Sequence, residues 1–243
     1  MTLTTVDVLA FGPHPDDVEI GMGGTIAHHV AHGLSVGVCD LTRGEMGTNG
    51  TPEQRVREAD EAREVLGAVW RVNLGLPDRH LRDVPEQVCP IVELIRACRP
   101  AAIALPHECD RHPDHVAAQS LVRAAAFSSG LRKFEAEGAP WKPDWLISYF
   151  INNTVEPSFV IDVSDHYEVK RRALACHRTQ FAPAGPDAAD TRLTSPLFQQ
   201  LIESRDAQFG ARVGVRWAEG FVVREPIIRR HLLRRRASLV PPL

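Results

Sequence analysis

The chain has 243 residues, 44% of them hydrophobic and 24% charged, which is an ordinary globular composition with enough apolar material for a substantial core. Its formal net charge of −3 argues against nucleic acid as a partner, and no apolar run approaches the length of a membrane span. Five cysteines (Cys39, Cys89, Cys98, Cys109 and Cys176) stand far apart without a C-x-x-C pair, which disfavours a disulfide framework and a thiolate zinc site. With no apolar leader at the N-terminus, this reads as a soluble, cytoplasmic protein with reduced thiols.

In chain order, residues 6–11 form an apolar run expected as a buried first strand. The turn that follows reads P-H-P-D-D and places His14, Asp16 and Asp17 together. A helix is expected over 24–33, ending at Gly33, and a second strand over 34–41. The glycine-rich stretch 42–52 is a loop. Pro52 opens an amphipathic helix to about Gly67. A strand over 69–74, a polar turn at 77–79, a helix over 84–98 and a strand over 101–105 come next. Residues 106–115 (P-H-E-C-D-R-H-P-D-H) read as a second polar loop, with a helix over 116–127 behind it. The last third is less regular: strands at 144–150 and 159–162, a helix over 166–176, a surface loop at 182–196, a helix over 197–209 and a closing strand at 217–223. The basic tail (Arg229, Arg230, Arg234, Arg235, Arg236) reads as a solvated terminus. Strand–helix alternation with short connections implies one α/β domain, a mostly parallel sheet with helices on both faces.

Two clusters of ligand-type residues each follow a buried strand. In a parallel sheet the carboxyl ends of strands share one edge, so both loops can converge there. Neutral imidazole and carboxylate suit Zn²⁺, and three protein ligands leave a position for water; Fe²⁺ accepts the same set. Of the adjacent Asp16 and Asp17, one can bind metal while the other takes a proton from the water activated there. A second histidine can stabilise a tetrahedral oxyanion. That chemistry is hydrolysis of an amide or ester. The spacing leaves open whether His112 or His115 is the ligand.

P-H-P-D-D-V-E-I-G-M-G-G-T followed by H-P-D-H resembles the LmbE-like (PIG-L) superfamily of metal-dependent N-acetylglucosamine deacetylases. T-R-G-E-M-G-T-N-G-T-P-E-Q-R, N-L-G-L-P-D-R-H-L and C-H-R-T-Q-F resemble the branch that deacetylates N-acetylglucosaminyl-malate in bacillithiol biosynthesis. The resemblance covers most of residues 6–225. It implies a Rossmann-like fold, a homo-oligomer (often a hexamer in this branch) and a small-molecule amino-sugar substrate. It implies metal ligands His14, Asp17 and His115, with Asp16 as general base and His112 as cationic oxyanion stabiliser. Asp114 is implied as a carboxylate that orients a site histidine. Arg55 and Asp78 match sugar-holding positions, and Arg43, Glu45 and Arg111 are further pocket candidates. An arginine would suit malate carboxylates through paired hydrogen bonds. Two positions depart from the pattern: Pro13 replaces an alanine and stiffens the turn, and W-A-E-G-F at 217–221 replaces Y-G-E-x-F. Both leave the catalytic set complete and bear on the pocket's shape, hence on the aglycone.

Other readings compete with these. Gly21, Gly23 and Gly24 invite a dinucleotide-loop reading, but Ile26 stands where the third glycine is required and two carboxylates precede it. They read instead as glycines that permit close packing beneath the site. His28, His29, His32 and His80 are expected as surface or capping residues, and Cys109 as a bystander. His177 and Gln180 either line the pocket or cap a helix. Another amino-sugar or thiol conjugate as substrate is an alternative, as is a metal- or sugar-binding protein without catalysis, although binding alone requires neither Asp16 nor His112.

Overall fold

The computed structural model describes residues 3–186 and 188–226; the basic tail lies outside them. Its centre is the strand pair β1 (Val8–Gly12) and β2 (Val36–Thr42), extended outward by β3 (Trp70–Leu76). On the other side of β1 stand β4 (Ala102–Pro106) and β5 (Trp145–Tyr149), giving five parallel strands in the order β3-β2-β1-β4-β5. The sheet ends with β6 (Phe159–Asp162) and β7 (Ala218–Val222). β7 lies between β5 and β6 and is antiparallel to both.

Alternation along the strands explains why helices cover both faces. Leu9 and Phe11 of β1, with Cys39 and Leu41 of β2, pack under α3 (Pro85–Cys98) and α4 (Pro113–Ser129). Ala10, Val36 and Val38 face the opposite layer, built from α1 (Asp17–Ala31), α2 (Pro52–Leu66), α5 (Tyr167–Cys176) and α7 (Pro196–Val213). A short α6 (Arg178–Phe181) follows α5. The ends of α2 show how sequence sets boundaries: Thr51 and Gln54 form a capping box, and Gly67 closes the helix with φ 75°. No helix among the described residues is long and apolar enough to cross a membrane.

Two helices start earlier than their sequence suggests. α1 begins at Asp17 rather than at 24, and is broken at Met22 (φ −148°). The helical pattern visible from 24 onward is its second half. The Glu219 carboxylate of β7 accepts hydrogen bonds from the backbone N–H groups of Gly24 (3.0 Å) and Thr25 (2.7 Å), capping that second half from across the fold. Glu219 also accepts from buried Lys170 at 2.6 Å, and Lys170 donates to Asp206 at 2.7 Å. The W-A-E-G-F stretch therefore braces the α1 break and does not line the pocket. The glycines around the break do permit close packing: a Cβ on Gly21 would lie 2.1 Å from the Tyr149 ring. α4 likewise begins at Pro113 rather than at 116, because proline is tolerated at a first helical position and the His112 ring accepts from the Asp114 N–H.

Candidate active site

The chain passes from β1 to β2 and β3 on one side, then returns to β4 on the other. The crevice above β1 and β4 is thus the sheet's topological switch point, where open α/β folds bind ligands. The 13–16 turn follows β1 and the 107–112 loop follows β4, so the two motifs meet there. Asp17 and His115 both lie in the first turns of helices, α1 and α4.

Asp17 is the meeting point. Its Oδ2 lies 3.0 Å from His14 Nδ1 and 3.4 Å from His115 Nε2. Donor atoms about 2.0–2.1 Å from a tetrahedral zinc ion lie roughly 3.3 Å apart. Both separations from Asp17 suit such an ion, and all three side chains are buried. Their outer atoms are held as well. His14 Nε2 faces Asp78 at 3.2 Å and Asp114 at 3.5 Å. His115 Nδ1 faces Asp110 at 3.0 Å, and Asp110 also accepts from the His112 and Asn152 backbone N–H groups. Carboxylates behind ligating imidazoles fix ring orientation and tautomer.

Asp16 adopts φ 134°, and it sits beside the donor set without joining it. Arg55 donates to its Oδ2 at 3.2 Å and to the carbonyls of Pro15 and Gly44. Burial raises the Asp16 pKa to about 6; the Arg55 charge opposes this and the neighbouring Asp17 adds to it. Asp17 is driven the other way, well below the usual carboxylate range, because His115 and His14 outweigh its burial. The same pairing lifts His115 to about 9 against its own desolvation. A cation at this donor set takes the place of those protons.

His112, the oxyanion stabiliser that the resemblance implied, stands beside the His14 and His115 rings. Burial lowers its pKa, and the neighbouring His115 and His14 lower it further. Its Nδ1 accepts the Asp114 N–H at 3.2 Å at the positive end of α4, which leaves Nε2 as a neutral donor. Asp114 approaches His14 and accepts from the Arg79 backbone N–H at 2.8 Å.

These groups floor a cavity of about 440 Å³. Arg55, Asp78 and Arg111 line it. Arg43 and Glu45 do not: Arg43 is exposed beside Gly75, and Glu45 accepts the Asp78 backbone N–H at 2.8 Å. Gln180 lines the cavity, whereas His177 is wholly buried next to Glu19, 3.4 Å away. Cys109 is exposed and outside the cavity wall. Sequence reading missed Asp110, hidden in a charged loop, and Asn152. It also missed Arg192, which belongs to the 182–196 stretch that reads as surface but folds over the cavity mouth.

Comparison with known proteins agrees with this geometry. Residues 9–126 match the PIG-L family, described as GlcNAc-PI de-N-acetylase. The diacetylchitobiose deacetylase of Thermococcus kodakarensis is 31% identical over 225 residues, spanning 88% of this chain and 81% of that protein. A 1D-myo-inositol 2-acetamido-2-deoxy-alpha-D-glucopyranoside deacetylase of Rhodococcus opacus is 27% identical over 85% of this chain and 92% of its own length. The crystal structure of a conserved protein from Thermus thermophilus superposes with a TM-score of 0.86 at 40% identity, covering 95% of this chain and 100% of that one. The chain belongs to the PIG-L (LmbE-like) deacetylase family.

Proposed function

We propose that this protein is a metal-dependent deacetylase that removes the N-acetyl group from an N-acetylglucosaminyl conjugate, with N-acetylglucosaminyl-malate as the substrate. The observation that carries the chemistry is the convergence of His14 Nδ1, Asp17 Oδ2 and His115 Nε2 beside a separate buried carboxylate, Asp16. A zinc or ferrous ion held there supplies Lewis acidity and lowers the pKa of water to about 7. Asp16, poised near 6, accepts a proton from the attacking water and delivers it to the departing amine nitrogen, so that amide and water become amine and acetate. The neutral His112 donates its Nε2–H to the tetrahedral oxyanion, and Arg55 holds Asp16 in place.

The substrate assignment rests on the cavity. Its volume falls within the roughly 300–1,000 Å³ of small-molecule sites. Arg111 and Arg192 both line it, and burial, then the nearby Arg111 charge, lowers the Arg192 pKa. Two guanidinium groups beside a sugar-sized cavity suit a dicarboxylate aglycone.

The test is acetate release by zinc-loaded protein from N-acetylglucosaminyl-malate, from N-acetylglucosamine alone and from N,N'-diacetylchitobiose. A higher kcat/KM on the malate conjugate supports the assignment, and preference for either other substrate overturns it. Asp16→Asn is expected to keep its zinc and lose turnover by about 10²-fold or more. Full activity in that variant removes Asp16 as the base.

A further inference from the structure

A second group of potential ligands lies away from the cavity. His28 lies in the last turn of α1 and His32 caps its C-terminus, and His166 closes the 3₁₀ turn Ser164–His166 that leads into α5. One ring nitrogen from each lies within 4.8 Å of the others. The His28 ring centroid is 4.2 Å from that of His32 and 5.4 Å from that of His166.

We propose that His28, His32 and His166 form a second divalent-cation site, which takes a transition-metal ion such as Zn²⁺ or Ni²⁺ and clasps the C-terminal end of α1 to the turn before α5. Three imidazoles are a donor set for these ions and a poor one for Mg²⁺ or Ca²⁺. The His32 tautomer is already set: Nδ1 donates to the His28 carbonyl at 2.7 Å, which leaves the Nε2 lone pair for a metal. Nitrogens within 4.8 Å of one another, on three solvent-accessible rings, can rotate to the roughly 3.3 Å edges of a tetrahedral shell. The surrounding field favours a cation. The site lies at the carbonyl end of α1, where the helix dipole is negative. α5 presents its positive end to the same spot, and the carboxylates of Asp162 and Asp165, both close enough to act on His28, offset it. Burial and the other two imidazoles lower the His28 pKa, which favours the neutral, ligating form.

Equilibrium dialysis of the untagged full chain against Zn²⁺, followed by elemental analysis, tests the proposal. Two zinc ions per chain are expected in the unaltered protein. The H28Q/H166Q double variant should hold one and retain its deacetylase activity. An independent signature comes from D17N/H115Q, in which Cu²⁺ at the remaining site should show nitrogen coupling from three imidazoles in its electron paramagnetic resonance spectrum. Equal zinc content in the unaltered protein and H28Q/H166Q, or a copper spectrum without histidine nitrogens, would overturn the proposal.

Discussion

At the scale of single residues, the centre works by giving neighbouring side chains opposite environments. Asp16 and Asp17 are adjacent and equally buried, yet one is pushed toward neutrality and the other toward permanent ionisation. The difference lies in partners: two imidazoles on Asp17, one guanidinium and an unfavourable neighbouring charge on Asp16. Asp110 has a comparable importance without touching the donor set. Its carboxylate aligns His115 and ties the 107–112 loop to Asn152. Asp110→Asn should therefore weaken zinc binding by about 10- to 100-fold, measured by chelator competition, while kcat at saturating zinc changes less. Unchanged affinity would mean that His115 needs no orienting partner. The metal-type residues were legible because histidine and aspartate cluster visibly after apolar runs. Asp110 was not, because one more charge in a polar loop carries no periodic signal, and its partner Asn152 is distant in sequence.

At the scale of elements, α1 does most of the positioning. Its first turn carries Asp17 and Glu19, its middle breaks at Met22, and the break is stabilised from β7 by Glu219. Lys170, Asp206 and Glu219 form an ion cluster with no exposure to water. Removing one charge from such a cluster leaves the others buried without their full complement. Glu219→Gln should lower the free energy of unfolding by about 3–5 kcal/mol in urea titration. A loss below about 1 kcal/mol would show that the cap and ion pair are dispensable. The start of this helix is hidden in the sequence because P-D-D and G-M-G-G look like turn residues. Long-range partners satisfy the break at Met22, Glu219 on its N–H side and Arg205 on the Ile20 carbonyl, and local patterns do not report them.

At the scale of the whole molecule, the alternating order of elements was enough to foresee a parallel sheet with helices on both faces, since apolar runs of this length and spacing allow little else. The antiparallel β7 between β5 and β6 was not visible, because a strand's direction depends on how its connection returns rather than on its composition. A second buried ionic cluster, Glu19, Asp40 and Arg71, links α1 to β2 and β3. Burial alone would raise the Glu19 pKa, but Arg71 and then His177 hold it at about 2, below its ordinary value of 4.5. Its folded-state pKa is thus depressed. The stability it contributes is fully present above pH 4.5 and is lost as pH falls toward 2. Denaturation midpoints measured between pH 6 and pH 3 should fall more steeply for the unaltered protein than for Glu19→Gln; parallel curves would count against the linkage.

The backbone of Asp16 has one more implication. Its φ of 134° is a conformation in which glycine is at ease and a branched side chain is not. The fold therefore maintains, beside His14, Asp17 and His115, a residue that local sterics disfavour. Asp16→Gly should unfold at higher denaturant than Asp16→Asn, since it relieves the strain and keeps the turn. On the proposed mechanism, directed evolution of this protein for heat resistance alone would find an early gain at position 16, and that gain would abolish turnover.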